Sequence, residues 1–229
     1  MRTVVGLAVI LVLMTGCGTT QEMAVKVDNP AICGFLGDPT CAELTKGEKG
    51  QPGLRWVNPK AQLTQYNKVI VNVVGFFGAD ASKVSPKDEE MLTALFQKSL
   101  TEALSKRYQI VEEPGPGVMR IQIAILDAEA ATPGMRSISM VIPQARLLST
   151  ATYAIRGRYP FVGGGEAAAK ITDSVSGEVL AAAVDRRVGG GSITTAGQWE
   201  WGDAENVIKQ WSELAADRLY AYTSGTAKP

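Results

Sequence analysis

The chain of 229 residues contains no histidine. Imidazole is the side chain that most often serves as a general base or metal ligand near neutral pH. Its absence therefore excludes histidine-based catalytic triads and most catalytic zinc sites. The sequence also lacks a nucleophile elbow, a phosphate-binding P-loop and a dinucleotide-binding fingerprint. We predict a protein that is not an enzyme and that binds no cofactor and no metal.

An excess of charge of either sign is absent as well. Lys and Arg together number 23, and so do Asp and Glu, which gives a net charge of zero. Nucleic-acid-binding domains carry a basic excess, so we predict no nucleic-acid partner. No apolar run approaches the roughly 20 residues that span a bilayer. With 45% hydrophobic residues, the composition is that of a globular protein.

The most informative segment that is present lies at the N-terminus. Arg2 precedes an apolar run over 4–14, which is too short for a permanent span, and the letters MTGC follow and end at Cys17. This arrangement resembles a bacterial lipoprotein export signal, which implies a signal peptide over 1–16 and acyl chains on Cys17. The alternative is an ordinary secretory signal with a chance cysteine. Lipidation would attach the chain to a membrane through its acyl chains alone.

Two further cysteines, Cys33 and Cys41, form an even pair in a chain expected to enter an oxidising compartment, where disulfides persist. Glycines and an Asp-Pro pair lie between them and allow the chain to turn back tightly. A zinc site is the alternative, but two thiols without histidine do not supply the usual four ligands. We predict a Cys33–Cys41 disulfide that closes a small loop.

Periodicity predicts four main strands. Apolar and β-branched residues over 68–74 indicate a strand that is covered on both faces. Residues 119–125 alternate between apolar and polar, as in a strand with one buried face. Residues 166–172 and 178–188 flank a cluster of turn residues, and we predict that they form a hairpin.

Two amphipathic helices accompany these strands. One begins at Ser85, a serine N-cap followed by proline, and the other is opened by Asp203. We predict an α+β fold in which a largely antiparallel sheet carries both helices on one face. After the signal peptide, the predicted organisation is a lipid-anchored tether over 17–32, a single α+β domain over 33–224 and a tail over 225–229.

Four segments carry a family resemblance. They are LRWVNP at 54–59, YNKVIV at 66–71, DSVSGEVLAAAVDRR at 173–187, and WGDA at 201–204 together with Trp211. On these segments the chain resembles the envelope lipoproteins catalogued as domain of unknown function 3313, over most of residues 33–222. The resemblance implies a Gram-negative envelope lipoprotein and no activity.

The residue after the lipid-bearing cysteine is Gly18 and not Asp. In lipoproteins of the kind that the chain resembles, this pattern is associated with sorting to the outer membrane. We expect a lipid-anchored protein of the outer membrane that faces the periplasm, and exposure at the cell surface stays open as an alternative.

Segment 130–165 is the first candidate binding surface. It contains no acid and no lysine, and its four arginines are interleaved with large apolar side chains. Such a segment could contact anionic headgroups or a partner; the alternative is that it packs into the core with its arginines solvated. Two tryptophans after a glycine run are the second candidate, with packing onto the last helix as the alternative. The candidate residues are Arg136, Arg146, Arg156, Arg158, Tyr153, Tyr159, Trp199 and Trp201.

The sharpest charged cluster is Asp185-Arg186-Arg187. A pair of guanidinium groups could bind a carboxylate or a phosphate. However, alternation along a strand sends Arg186 and Arg187 to opposite faces of the sheet, where they do not share one pocket. We therefore favour a structural ion pair at this cluster.

The sequence supports three functional hypotheses. The leading one is a non-enzymatic, lipid-anchored envelope protein that binds or scaffolds another envelope component, either a protein or a glycan. The second is a lipid or small-molecule binder that is accessory to envelope transport, with segment 130–165 lining its site. The third is a hydrolase of envelope polymers that uses carboxylates among Asp127, Asp173, Glu178 and Asp185.

Overall fold

The computed structural model describes residues 20–25, 27–77, 84–190 and 198–227. The predicted signal peptide and Cys17 lie outside the described residues. The helices are α1 (Pro30–Leu36), α2 (Asp38–Ala42), α3 (Pro86–Ser105), α4 (Pro133–Val141), α5 (Pro143–Arg156) and α6 (Gly202–Thr223). The strands are β1 (Thr20–Met23), β2 (Thr45–Lys46), β3 (Leu54–Val57), β4 (Lys68–Val71), β5 (Gly75–Phe76), β6 (Gln109–Ile110), β7 (Val118–Glu129), β8 (Gly164–Asp173) and β9 (Val179–Gly189).

The strands form one sheet with the order β2-β3-β9-β8-β7-β4-β6. Two short strands extend this order: β1 pairs with β9 beyond β3, and β5 continues the line of β4 along β7. The long strands β7, β8 and β9 pair in antiparallel fashion, whereas β4 lies parallel to β6 and to β7. The prediction of a largely antiparallel sheet in an α+β fold is confirmed, and so is the hairpin of β8 and β9.

Helices α3 and α6 cover one face of the sheet, as the sequence predicts. Alternate residues of β7 point to this face, and the two helices fill the space above them. Phe96 of α3 and Trp211 of α6 stack with their ring centroids 5.9 Å apart. The core on this face includes Leu92, Phe96, Leu100, Leu104, Met119, Ile121, Ile123, Ile125, Val207, Ile208 and Leu219.

Helix α3 begins where its capping residues predict. The Ser85 hydroxyl accepts a hydrogen bond from the backbone N–H of Asp88 at 3.2 Å, and Pro86 occupies the first turn, where its missing N–H leaves no bond unmade. Helix α6 begins at Gly202, one residue before the predicted start. The sequence therefore predicts both helix starts to within one residue, and the side-chain cap is present at α3.

Helices α1 and α2 cover part of the opposite face, which the sequence did not predict. Ile32 and Leu36 of α1 pack against Leu126 of β7 and against small residues of β8 and β9. The predicted disulfide between Cys33 and Cys41 is present and joins α1 to α2. The disulfide thus holds together a pair of short helices that contributes to the core.

The predicted tether over 17–32 is wrong for the residues that the structure describes. Thr20–Met23 form β1 along the edge of the sheet, and α1 already begins at Pro30. An edge strand packs few of its side chains, here Met23, and therefore shows little apolar alternation. The described part of the domain therefore already includes Thr20, three residues after Cys17, and is not confined to residues from 33 onward.

The strand predicted over 68–74 is shorter than its apolar run. β4 ends at Val71, and Val73 is 89% exposed. Val71 pairs with Ile121 of β7, whereas Gly75 pairs with Ala124, so the chain between β4 and β5 has one residue more than β7 at this point. Such an extra residue produces a bulge that turns side chains outward, which composition alone does not reveal.

Candidate functional site

Segment 130–165 contains a helical hairpin, α4 followed by α5, that leaves the sheet after β7. The two helices pack mainly against each other. Ser149 of α5 donates a hydrogen bond from its hydroxyl to the carbonyl oxygen of Ser139 in α4 at 3.2 Å, and both serines are buried. Prolines begin both helices, and Gly157 ends α5 with a positive φ of 70°.

Large apolar side chains of this hairpin point into solvent. Leu148 is 71% exposed and Ile155 is 84% exposed, although both are residues that a core would bury. We define the hairpin surface as the exposed apolar residues Met135, Ile138, Val141, Ile142, Leu147, Leu148, Tyr153, Ile155 and Phe161. The segment does form helices, but the alternative in which it packs into the core is wrong.

The predicted arginines of this segment have different environments. Arg156 is exposed at the end of α5, whereas Arg146 is partly buried. Arg158 forms an ion pair with Glu129, with Nη1 and Oε2 3.0 Å apart. Arg136 lies on α4, and its side chain is outside the described part of the chain. Arg156 is therefore a solvent-exposed cation, whereas Arg158 makes a structural contact.

Glu129 connects the base of the hairpin to the sheet. Its carboxylate accepts hydrogen bonds from Arg158 of the hairpin at 3.0 Å and from Arg186 of β9 at 2.8 Å. Burial alone would raise the pKa of Glu129, but the two guanidinium groups outweigh it, so that this pKa lies below its ordinary value. Arg186 also lies 4.0 Å from the buried carboxylate of Glu166. These ion pairs fix where the hairpin leaves the domain.

The cluster Asp185-Arg186-Arg187 behaves as alternation predicts. Arg186 faces Glu129 and Glu166, whereas Arg187 donates a hydrogen bond to Asp185 at 2.7 Å. The two arginines form no common site, and Asp185 with Arg187 is a buried structural ion pair.

The aromatic candidates also differ in exposure, and one of them is buried. Tyr153 and Tyr159 stack with centroids 4.8 Å apart, and Tyr153 remains on the hairpin surface. Trp199 is exposed, and its Nε1 donates to Glu205 at 3.3 Å. Trp201 is only 3% exposed and belongs to the core under α6. Trp201 is therefore not part of a binding surface, and the alternative that it packs onto the last helix is confirmed.

The first strand lies directly beside the end of the hairpin. Gln21 of β1 donates a hydrogen bond from its side-chain amide to the carbonyl oxygen of Gly157 at 2.9 Å. Met23 and Tyr159 pack together against the buried pair of Val162 and Val188. The N-terminal end of the described chain and the C-terminal end of α5 therefore share one corner of the molecule.

Two carboxylates proposed for hydrolysis hold turns together. Asp173 accepts hydrogen bonds from the backbone N–H of Val175 at 3.0 Å and of Ser176 at 2.7 Å, and these bonds lower its pKa. Tyr66 donates its hydroxyl to the same carboxylate at 2.9 Å, and burial followed by this contact raises the pKa of Tyr66 to about 12. Glu178 accepts from the side-chain amide of Asn58 at 2.8 Å.

Several residues of the hairpin surface were not predicted from the sequence. Ile138, Val141, Ile142 and Ile155 were not among the predicted site residues. Their spacing along α4 and α5 gives each helix an apolar stripe, which is the signal that was available. Spacing does not say whether a stripe faces the protein or the solvent.

Among the described helices, none is both long enough and apolar enough to cross a membrane. The chain is similar to "Uncharacterized lipoprotein YdcL" of Escherichia coli (strain K12), with 23% identity over 134 residues. That alignment covers 57% of this chain, and the chain spans 58% of the length of that relative.

The solved structures that the chain matches are remote from it. The PelC dodecamer from Paraburkholderia phytofirmans has 11% identity and a TM-score of 0.38, over 70% of this chain and 95% of that chain. Protein XCC0632 from Xanthomonas campestris, a DUF330 protein, has 13% identity and a TM-score of 0.40, over 77% of this chain and 93% of that chain.

The family model described as "Protein of unknown function (DUF3313)" matches residues 33–215, which is well over half of the chain. This match confirms the resemblance that the segments around β3, β4, the β8–β9 hairpin and the start of α6 carry. The chain belongs to the DUF3313 family of envelope lipoproteins.

Proposed function

We propose that this protein is a non-enzymatic, lipid-anchored envelope protein that binds another envelope component through the hairpin surface. We further propose that this component is the anionic lipid bilayer beside its own anchor. The observation that carries the proposal is the outward direction of the large apolar side chains of α4 and α5. Removing such side chains from water is favourable, at about 25 cal/mol per Å² of apolar area. A cluster of them on a surface marks a contact site.

The position of the anchor supports a membrane as the occupant. Cys17 precedes Gln21 by four residues, so their Cα atoms lie no more than about 14 Å apart even in a fully extended chain. Gln21 is hydrogen-bonded to Gly157 at the end of α5. Acyl chains on Cys17 would therefore bring this corner of the domain, and the hairpin with it, against the bilayer.

The charge of the hairpin supports an anionic surface. Segment 130–165 contains four arginines and no acid or lysine, and Arg156 is exposed beside the apolar side chains. Apolar side chains enter the boundary of the bilayer while neighbouring cations contact anionic headgroups. Tyr153 has an apolar ring and a polar hydroxyl, which suits the same interface.

The roles of the carboxylates support a non-enzymatic protein. Asp173 caps a turn, Glu178 holds Asn58, and Asp185 accepts hydrogen bonds from Arg187 and Trp211. Each of these contacts stabilises the fold and occupies the carboxylate with a structural hydrogen bond. These roles favour binding over hydrolysis of an envelope polymer.

Gly18 after the predicted lipid-bearing cysteine supports location at the outer membrane, on the periplasmic side. Fractionation of membranes on a density gradient tests this location. Migration with inner-membrane markers would contradict it.

Depth of the hairpin in the bilayer can be measured with a single fluorescent label. With Cys17 lipidated and Cys33 joined to Cys41, a cysteine introduced by Leu148→Cys is the only free thiol. We expect an environment-sensitive dye on this cysteine to brighten several-fold in vesicles that contain anionic lipid. We also expect quenchers on the lipid chains to dim it.

Val175→Cys provides the matched control. Val175 is 68% exposed, which is close to Leu148 at 71%. It lies beyond the far end of β8, about 30 Å along the strand from the corner that holds the anchor. A dye at this position should remain in water.

Three outcomes would contradict the proposal. Equal responses at the two positions would show that the hairpin is not specially inserted. Shielding of the Leu148 position in vesicle-free protein, increasing with protein concentration, would indicate a second copy. Shielding that requires an added envelope protein would indicate a protein partner.

A further inference from the structure

A second apolar site lies inside the domain, between α6 and the sheet. It is a cavity of about 150 Å³. Its floor consists of alanines on neighbouring strands, Ala167 and Ala169 of β8 with Ala181 and Ala183 of β9. Its roof is one face of α6, formed by Trp211, Leu214, Ala215, Arg218, Leu219 and Tyr222. Among the described residues of α4 and α5, none lines this cavity, so it is separate from the proposed membrane contact.

The strand register explains why this space is left open. Ile123 of β7 lies beside Ala169 of β8, which lies beside Ala183 of β9, and Arg55 of β3 ends this row. Isoleucines on β7 fill the volume below α3. The alanines of the next two strands are too short to reach α6, so the helix spans the gap without filling it.

One end of the cavity is polar and positively charged. Asp185 is the carboxylate that lines this end. It already accepts hydrogen bonds from the backbone N–H of Gly53 at 3.0 Å, from Arg187 at 2.7 Å and from Trp211 at 2.8 Å. Arg55 and Arg218 also line this end, and neither forms an ion pair with a described residue. This end, which we call the mouth of the cavity, therefore carries positive charge that no acidic side chain among the described residues balances.

The side chain of Arg218 has one hydrogen-bond donor, Nε, that indicates an anionic ligand. Its Nη2 donates to the carbonyl oxygen of Gly50, which ties the loop at 50–52 to α6 across the cavity. Its Nε is buried, and no residue that the structure describes accepts a hydrogen bond from it. A buried cationic donor without an acceptor is unfavourable until an anion binds.

We propose that this cavity binds a single-chain amphiphile with an anionic headgroup, either a carboxylate or a phosphate. A site of this volume with largely apolar walls has room for about six carbons of a ligand. The chain of the ligand would lie between the alanines and α6. Its headgroup would contact Arg55 and Arg218 at the mouth.

Titrations with eight-carbon probes test the proposal on the full lipidated chain in nanodiscs of zwitterionic lipid. Alanine methyl groups are labelled with ¹³C, and their chemical shifts are followed by NMR. We expect octanoate or octyl phosphate to shift the methyl signals of Ala169 and Ala183, and the anion that binds more tightly identifies the headgroup. Octylamine, which has the same chain and a positive charge, should bind at least 10-fold more weakly.

Two variants separate the chain site from the headgroup site. Ala183→Leu fills the cavity and should weaken binding of both anionic probes at least 10-fold, whereas Ala94→Leu, at an exposed position on α3, should not. Arg218→Gln should weaken binding of the anions and leave binding of octanol unchanged.

Several results would overturn this proposal. The first is that neither anion shifts the cavity methyl signals of the unaltered protein, a result that does not depend on any variant folding. The second is equal affinity for octylamine. The third is unchanged binding by a folded Ala183→Leu variant.

Discussion

Helix α6 and the α4–α5 hairpin carry their apolar stripes in opposite directions. In α6, Val207, Ile208 and Trp211 are buried against α3 and the sheet. In α5, Leu147, Leu148 and Ile155 are exposed to solvent. Both helices are amphipathic by sequence, so amphipathicity alone does not distinguish a core helix from a docking surface.

The difference lies in what stands opposite each stripe. Helix α6 faces a sheet and a second long helix, and its stripe is covered on folding. The hairpin leaves the sheet at Glu129, and the inner contact between its helices is made partly by small residues, Ser139 and Ser149. Its large side chains are left for an external surface. Stability should therefore depend on α6 and its surroundings, and membrane contact on the hairpin.

The largest difference in the free energy of unfolding between the core and the hairpin should come from removing one ion pair in each. Asp185→Ala leaves the buried Arg187 and the Nε1 of Trp211 without their acceptor, and should lower the free energy of unfolding by about 3–5 kcal/mol. Arg158→Ala, at the half-exposed ion pair of the hairpin, should lower it by about 1 kcal/mol or less. Urea unfolding followed by circular dichroism measures both. Equal losses would mean that the hairpin is part of the core.

A matched pair of leucines provides the second contrast. Leu100 of α3 is 0% exposed, and Leu100→Ala should cost about 2–5 kcal/mol through lost burial and a cavity. Leu148→Ala removes the same atoms from a solvent-exposed site and should change stability by about 0.5 kcal/mol or less. The same urea experiment compares them. A cost above 2 kcal/mol for Leu148→Ala would contradict the outward orientation of α5.

The disulfide tests a third helical unit, α1 with α2, whose apolar residues face the sheet. Replacing both Cys33 and Cys41 by serine should cost no more than about 2.5 kcal/mol, since the closed loop is short. For a domain of this size, that corresponds to a drop in Tm of up to about 5–10 °C. Thermal unfolding measures it. Failure of the variant to fold would show that α1 is essential to the core.

The smallest effect should be a pH dependence at the base of the hairpin. The pKa of Glu129 lies below its ordinary value of 4.5 because of Arg158 and Arg186, although burial opposes this. As the pH falls, Glu129 is therefore protonated in the unfolded chain at a higher pH than in the folded protein. The stabilisation is fully present above about pH 4.5 and is lost as the pH falls through the lowered pKa.

Urea midpoints from about pH 6 down to pH 3 measure this loss. Glu129→Gln is the control and should show a smaller decline over the same range. If the urea midpoints of the unaltered protein and of Glu129→Gln declined equally, the ionised Glu129 would not be what holds the hairpin to the sheet.

Local patterns in the sequence determined most of the elements. The capping residues Ser85 and Pro86 placed the start of α3, and turn residues between β8 and β9 placed the hairpin. The even pair of Cys33 and Cys41 predicted the disulfide, and alternation sent Arg186 and Arg187 to opposite faces. These features depend on neighbours in the chain, so their physical cause is contained in a few consecutive residues.

Tertiary structure decided the rest. β1 was hidden in the predicted tether because an edge strand gains its stability from pairing with β9, and not from its own pattern. Trp201 and Leu148 are both large and apolar, yet one is buried and the other exposed. The cavity exists because strand register aligns the alanines of β8 and β9 under α6. Whether a residue is buried depends on which surfaces come into contact on folding, and those contacts involve residues that are far apart in the chain.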